Sequence, residues 1–248
     1  ANIKSRYLDD LDGAILDFHK AIETWPQNFE LHEQFQNFLE DHQEYLTLVK
    51  VLREGLVVFS ELDHSIRLRI KLATILKENL NDLEESTEIL DSLIRDHVDH
   101  PLVWNLLENN YRALKKWHPL IRLYQNRLSQ ISDEQEKYEL QWKILEIQQT
   151  ELEDYTGALK VAELLYAKSP VNKEQSITVF TNLLKKVQKF DQIIKLHREE
   201  IKNCSPKDID RLFSYWSIIA KTAQENLKNL SLAKEAYSEM LKLHPTYL

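Results

Sequence analysis

The sequence has few of the residues that turn a chain, with 3 glycines and 6 prolines among 248 residues. An average composition would supply about 30 of the two together, so little of the chain is available for turns. The scarcity of glycine argues against sandwiches, barrels and glycine-rich phosphate loops. The one cysteine, Cys204, excludes an intramolecular disulfide and any metal site built from several cysteines. A chain of long helices is what these absences leave.

No apolar stretch approaches the roughly 18 to 20 residues of a membrane-spanning helix, and no basic, apolar leader opens the sequence. We therefore expect a soluble protein without membrane insertion and favour a cytoplasmic location. The net charge is −8. Because nucleic-acid affinity depends mainly on clustered lysine and arginine, direct binding of nucleic acid is not expected. Apolar residues make up 43% of the sequence, which is enough to form a core.

One pattern recurs along the whole chain. In three copies, which start at Ala14, Ala158 and Ala233, a small residue is followed by an apolar residue four positions later and a proline twelve positions later. A degenerate fourth copy starts at Ser86 and has Val98 in place of the proline, so the four copies start 72, 72 and 75 residues apart. A second set, in which an aromatic residue precedes an apolar helical stretch, lies between these copies. The equivalent positions of both sets are 34, 38, 34, 38, 35 and 40 residues apart: Ala14, Leu48, Ser86, Leu120, Ala158, Ile193 and Ala233. This predicts a tandem repeat near 34 residues that alternates between a short and a long form.

Residues 101–132 show the structure predicted for one repeat. Pro101 is placed to open a first helix, on which Trp104, Leu107 and Tyr111 form an apolar stripe. A second stripe follows after a short break, and the two together predict a helical hairpin. The residues expected to be buried within and between repeats are Trp104, Tyr111, Leu120 and Tyr124.

The extra residues of the long form fall just before alternate first helices. They occupy 60–65, 132–137 and 205–210, and each of these segments begins with serine and carries acidic residues soon after. Serine is a favoured N-cap residue and acids suit the first helical turn. We therefore expect these first helices to be about one turn longer than the others and to be capped by the serines.

The repeat resembles that of the tetratricopeptide repeat (TPR) family over almost the full chain, on the stripe Trp104, Leu107 and Tyr111, on Leu120, and on the segment from Ala14 to Pro26. The alternating repeat length departs from a plain TPR array, and the tryptophan near each first helix also resembles half-a-TPR (HAT) repeats of RNA-processing scaffolds. The resemblance implies an all-α fold, a right-handed α-solenoid of stacked antiparallel helix pairs. We expect one domain over residues 1–248, with about six and a half repeats, that is a fragment of a longer protein.

In the TPR family the first helices line a concave groove that binds a peptide or a partner helix. Asn109 aligns with Asn37 and Asn182 at spacings of 72 and 73, and an amide on this face can both donate to and accept from a ligand backbone. Lys71 and Lys143 occupy the corresponding face of the alternate repeats. The predicted groove residues are Asn37, Lys71, Asn105, Asn109, Arg112, Lys143, Asn182 and Lys185. The alternative for these residues is a solvated helix face on which asparagine recurs.

The charge also changes along the chain. Acidic residues outnumber basic ones between Glu23 and Asp63, whereas a basic cluster lies at 185–195. A groove with this charge distribution would select a dipolar ligand and its direction, and solvated helix faces are the alternative. The clamp with which some TPR proteins hold the carboxylate of chaperone tails is not matched, because Ile75 and Ile147 stand where it needs asparagine.

Neither a metal, a cofactor nor catalysis is predicted. His97 and His100 lie in a segment with enough nitrogen and oxygen ligands for a divalent metal, but the segment follows a helix end, where histidine also interacts well with the helix dipole. No base adjoins Cys204, and no nucleophile elbow, paired-acid motif or phosphate loop is present.

The function that we favour from the sequence is a non-catalytic scaffold that binds a segment of another protein in its groove. The alternative is a structural spacer or oligomerisation arm of a larger assembly, such as a HAT-type RNA-processing complex. The apolar faces around Phe18 and around Tyr237 lack a covering repeat in this sequence. Because repeat arrays need polar caps, this predicts self-association through uncapped ends.

Overall fold

A computed structural model describes residues 10–96, 100–168 and 173–244. Over these residues it contains thirteen α-helices, one π-helix and no β-strand. The helices are α1 Leu11–Thr24, α2 Phe29–Asp41, α3 Tyr45–Val58, α4 Leu62–Glu78, α5 Leu83–Arg95, α6 Pro101–Ala113, α7 Trp117–Gln130, α8 Glu134–Thr150, α9 Tyr155–Lys168, α10 Lys173–Lys186, α11 Phe190–Asn203, α12 Ile209–Lys221, the π-helix Thr222–Asn226 and α13 Leu230–Leu243. None of them is long and apolar enough to cross a membrane.

After α1, the helices alternate between the first and the second member of successive pairs. The chain divides into an N-terminal half, residues 1–123, and a C-terminal half, residues 124–248, with the division inside α7. In the N-terminal half α1 to α6 pack in chain order, each on the next, and in the C-terminal half α8 to α13 do the same. The predicted all-α array of packed helix pairs is therefore confirmed. That the chain forms one domain stays a prediction.

Alternate first helices are longer, as the repeat lengths predicted. The first helices α2, α6 and α10 have 13, 13 and 14 residues, whereas α4 and α8 have 17 each. The remaining first helix, α12, has 13 residues and continues directly into the 5-residue π-helix. Since a π-turn holds more residues than an α-turn, this extension suits the repeat that has the longest spacing.

The serines predicted to cap the long first helices do not do so. The N-cap residues of helices α4, α8 and α12 are instead Glu61, Asp133 and Asp208. The Asp133 carboxylate accepts a hydrogen bond from the Glu136 amide at 2.8 Å, while Glu61 makes no such bond. Asp133 and Asp208 each satisfy a free amide, and all three acids suit the positive end of the helix dipole, which favours them over Ser60, Ser132 and Ser205.

Alternate second helices begin with a side-chain cap that recurs with the long period. In each case a side-chain oxygen accepts a hydrogen bond from the backbone amide three residues later, at 2.8 to 3.1 Å. The capping residues are Asp10, Asp82, Asp154 and Asn229. The recurrence of an acid or amide in the sequence therefore marks where these second helices start.

The position that defines the repeat in the sequence is buried in every second helix that the structure describes. All seven side chains are at most 3% exposed: Ala14, Leu48, Ser86, Leu120, Ala158, Ile193 and Ala233. The polar member of the set is satisfied internally, because the Ser86 hydroxyl donates to the Ala73 carbonyl at 2.7 Å and accepts from the Asn110 amide at 3.0 Å. The degenerate repeat thus links α4, α5 and α6 through hydrogen bonds instead of apolar packing.

Three of the four side chains predicted to be buried are so. Tyr111, Leu120 and Tyr124 are at most 5% exposed. The prediction for Trp104 was wrong, because it is half-buried whereas the preceding Val103 is buried. At the start of α6, the buried side of the helix therefore includes Val103 and lies one residue away from the predicted apolar stripe.

Every first helix from α2 onward ends in a turn with one residue of positive φ, and none of these residues is a glycine. The φ values are 50° to 59°, and the residues are Gln43, Asn81, Lys115, Glu153, Gln188 and Lys228. Their spacings of 38, 34, 38, 35 and 40 residues reproduce the repeat lengths. The short repeats use a Schellman turn, in which for example the Lys116 amide donates to the Tyr111 carbonyl at 2.8 Å. In the long repeats the corresponding backbone hydrogen bond spans one more residue.

The turn after α6 predicts a stabilising substitution. Lys115 holds a left-handed conformation with φ of 53°, which costs a residue with a Cβ about 1 to 2 kcal/mol. Lys115→Gly should therefore raise the free energy of unfolding by about 0.5 to 1 kcal/mol once the flexibility of glycine in the unfolded chain is included. Urea denaturation at constant slope measures the change. Lys115→Ala keeps the Cβ and serves as the control, and a glycine variant no more stable than the alanine variant would contradict the assignment.

Candidate functional site

The three recurring asparagines lie at equivalent, exposed positions of the first helices. Asn37 is on α2, Asn109 on α6 and Asn182 on α10. Asn105 is also exposed and lies one turn before Asn109 on α6. The residues that precede and follow Asn37 and Asn182 are buried. Each short repeat therefore presents the aligned amide on the solvent side of its first helix, and α6 presents Asn105 as well.

In the N-terminal half, the predicted groove residues bond to one another across adjacent first helices. The Lys71 ammonium of α4 donates to the Asn37 side-chain oxygen of α2 at 3.1 Å and lies 2.9 Å from the Glu40 carboxylate. Lys71 is half-buried by these contacts. Its charge and the oxygen of the Asn37 amide are therefore already used within the protein.

On α6, Arg112 is half-buried and its guanidinium Nε donates to the Glu108 carboxylate at 3.4 Å. The neighbour of Asn109, Asn110, is buried in the hydrogen-bond network with Ser86. Asn109 was predicted from the sequence as a groove residue, whereas the burial of Asn110 was not predicted. Its spacing of three from Leu107 and seven from Val103 places Asn110 on the apolar face of α6, and that spacing was the signal for its burial.

On α8, Lys143 is half-buried and its ammonium lies 5.4 Å from the centroid of the Tyr124 ring. This distance allows a cation–π interaction. Lys143 therefore covers an aromatic side chain of its own half and is not extended into solvent.

The C-terminal half contains a cavity of about 480 Å³ between the first helices α10 and α12, with the second helix α11 at its base. Two predicted groove residues, Asn182 and Lys185 of α10, line it. Both are exposed, and neither side chain makes a hydrogen bond or ion pair with the described residues. The cavity therefore brings together two predicted residues whose polar groups are available to a ligand.

The floor of the cavity is formed by buried side chains that hold one another in place. The Thr181 hydroxyl donates to the Ile177 carbonyl at 2.7 Å, so it accepts the bond of 3.0 Å that joins it to Nε2 of His197. This places the ring proton on Nε2 and leaves Nδ1 buried without a hydrogen bond. The ring centroid lies 5.4 Å from that of Tyr215 on α12.

Burial lowers the pKa of His197 to about 4, with Lys185 adding to the effect and Glu200 opposing it. The imidazole is therefore neutral at pH 7. Together with Ile177, Thr181 and Tyr215, it gives the cavity an uncharged floor.

The charged residues of the cavity lie at its two ends. At the end where α10 and α12 begin, Arg211 forms a hydrogen-bonded ion pair with Glu174 and lies 3.5 Å from Asp208, while Asp210 is exposed. This end thus has three carboxylates and one guanidinium. Lys185 supplies the charge at the other end.

Beneath the cavity, a buried carboxylate ties three helices together. Glu200 of α11 is 5% exposed and accepts a hydrogen bond from the Tyr166 hydroxyl of α9 at 2.6 Å. The Lys173 ammonium at the start of α10 lies 2.9 Å from the same carboxylate. Burial and this hydrogen bond raise the pKa of Tyr166. The carboxylate of α11 is therefore connected both to α9 and to the start of α10.

The sequence raised metal binding at His97 and His100 and thiol chemistry at Cys204 as candidates. His97 lies outside the described residues, and His100 caps α6 by accepting a hydrogen bond from the Leu102 amide at 3.2 Å on Nδ1. Among the described residues no three His, Cys, Asp or Glu side chains are grouped as a metal site requires. Burial, and secondarily Asp208, raise the pKa of the Cys204 thiol, which disfavours the reactive thiolate.

No known family's sequence profile matches the chain, and no curated protein matches it in sequence. Among solved structures it is similar to a chain of Naa15/Naa10 bound to HypK-THB, with 13% identity, a TM-score of 0.46 and 96% of this chain covered. This chain spans 41% of the length of that one. YrrB, a TPR protein with an unusual peptide-binding site, gives 13% identity and a TM-score of 0.36, with 93% of both chains covered. The MamA RS-1 ArsTM double mutant gives 13% identity and a TM-score of 0.38, covering 72% of this chain and 96% of the other.

The low pKa of His197 predicts a specific pH dependence of stability. Unfolding returns its pKa from about 4 to about 6.5, so the unfolded chain binds an extra proton between these values and the folded state loses stability as the pH falls through this window. Between pH 7 and pH 5 the free energy of unfolding should fall about 1 to 2 kcal/mol more in the natural chain than in His197→Gln.

Glutamine keeps a donor toward Thr181 but does not titrate, so the comparison isolates the imidazole. Urea unfolding at the two pH values measures the difference, and the histidine resonances followed by NMR give the pKa itself. Equal losses in both chains, or a His197 pKa near 6.5, would contradict the buried, neutral imidazole.

Proposed function

We propose that the chain is a non-catalytic scaffold whose first helices hold a segment of another protein. The observation that carries the proposal is the cavity between α10 and α12, which contains Asn182 and Lys185 with their polar groups unused. Its volume of about 480 Å³ lies within the range of about 300 to 1,000 Å³ that is typical of ligand pockets.

The lining of the cavity suits a peptide. The Asn182 amide offers a donor and an acceptor, which matches the two hydrogen-bonding groups of a peptide unit. The floor of Ile177, Tyr215 and neutral His197 accepts an apolar side chain without leaving a buried charge unpaired. Because Glu200 and its partners fix the position of α10, the binding groups are held in place before a ligand arrives.

We place the main contact in the C-terminal half because the predicted residues of α2 and α4 bond to each other. A ligand at Asn37 would have to compete with Lys71 for the amide oxygen. Asn105, Asn109 and Arg112 of α6, and Lys143 of α8, are proposed as further contacts, with the amides of Asn105 and Asn109 exposed.

The test uses peptides selected from a displayed library of random 12-residue sequences on the full chain. Asn182→Ala and Lys185→Ala should each weaken the selected peptides about tenfold, since each removes a hydrogen bond of about 1 to 2 kcal/mol. The controls Asn126→Ala and Lys160→Ala change exposed residues of the second helices α7 and α9 and should leave the affinity within about twofold.

Fluorescence anisotropy with the labelled peptides measures the affinities, and circular dichroism checks that each variant keeps its helices. If the library yields no peptide, or if the control variants lose as much affinity as the cavity variants, the proposed function is wrong. A spacer that binds nothing in its groove gives the first of these results.

A further inference from the structure

The charges at the two ends of the cavity identify the kind of peptide that fits it. Glu174 lies near the start of α10 and Lys185 near its end. At about 1.5 Å per residue of helix, the two side chains are attached roughly 16 Å apart along the axis. Both line the same cavity, so it follows α10 for about three turns.

The two ends have opposite charge. Helix α12 starts beside the start of α10, because Arg211 bonds to Glu174 and lies 3.5 Å from Asp208. One guanidinium therefore neutralises only part of the charge on Glu174, Asp208 and Asp210. The side chain of Asp210 is 99% exposed and lies 3.6 Å from the His244 ring, which leaves it accessible to a cation.

The opposite end is positive and the middle is uncharged. Lys185 is exposed and makes no ion pair with the described residues. Between the ends lie the side chains of Ile177, Thr181, Tyr215 and neutral His197. The order along the cavity is thus carboxylates, apolar floor, ammonium.

On the basis of the proposed function, we propose that this cavity binds an extended peptide in which an apolar residue lies between a basic side chain and an acidic one. The basic group of the peptide lies against Asp208 and Asp210, and its acidic group against Lys185. An extended chain advances about 3.3 Å per residue, so a span of roughly 16 Å separates the two charged residues by about four to five positions. Complementary charges of this kind select the partner and fix its direction.

The test compares the natural chain with Asp210→Lys, Lys185→Glu and the double variant that exchanges both charges. Each chain is used to select peptides from the same displayed library of random 12-residue sequences. Peptides selected on the natural chain should carry the two opposite charges four to five positions apart. Each single variant should bind them at least tenfold more weakly. The double variant has no net charge at the end of Glu174 and Asp208 and a negative charge at the other end, so it should select peptides that carry a basic side chain where those of the natural chain carry the acidic one.

The charge exchange Lys160→Glu, at an exposed residue of α9 outside the cavity, is the matched control and should not alter the selected charge pattern. The charge proposal is wrong if the selected peptides show no charge pattern, or if the double variant still selects the acidic side chain at the same position, while the selected peptides still lose affinity on Asn182→Ala. In that case the cavity binds peptides and the end charges serve only the dipoles of α10 and α12. If no chain selects a peptide, or selected peptides are insensitive to Asn182→Ala, the proposed function fails as well.

Discussion

The structure depends on one buried position in each second helix. This position is at most 3% exposed in all seven second helices that the structure describes, whether it is held by alanine, serine, leucine or isoleucine. Each helix contacts mainly its neighbours in the chain, so the stability of a repeat comes from packing against the next one. The size of the side chain at this position limits how closely the adjacent first helices approach the second helix. At Ser86, where this position is polar, hydrogen bonds to Ala73 and Asn110 connect its helix α5 to α4 and α6.

Packing at that position decides which face of each first helix remains outside. Since the buried side of α2, α6 and α10 is fixed by their second helices, the same register position is exposed in each, and asparagine occupies it three times. The repeats nevertheless differ in what this face can do. In the N-terminal half, Lys71 of a long first helix reaches the amide of Asn37, whereas in the C-terminal half a cavity remains beside Asn182. Repetition supplies the polar groups, and local side-chain contacts determine which of them a ligand can use.

Most of the fold could be predicted from the sequence because its determinants are local and periodic. The burial of Ala14 and its equivalents, and the longer alternate first helices, follow from spacings that the sequence displays directly. Predictions failed where two residues close in the sequence compete for one role. An acidic residue, and not the nearby serine, begins each long first helix, and Val103 instead of Trp104 packs inward on α6. At the candidate site, the exposure of Asn182 and Lys185 was predictable from helical periodicity. The bond between Lys71 and Asn37 and the cavity at His197 were not, because they depend on distances between helices that are separate in the sequence.

Close packing at the repeat position holds the helices together, and Ala158 of α9 is the most direct place to test this. Ala158 is 0% exposed, whereas Lys160 lies two residues later on the exposed side of the same helix. Ala158→Leu and Lys160→Leu introduce the same side chain, and urea denaturation gives the free energy of unfolding of each variant. We expect Ala158→Leu to lose about 1 to 3 kcal/mol, because the added atoms separate packed helices, and Lys160→Leu to change by no more than about 0.5 kcal/mol. Equal changes for the two variants would contradict it.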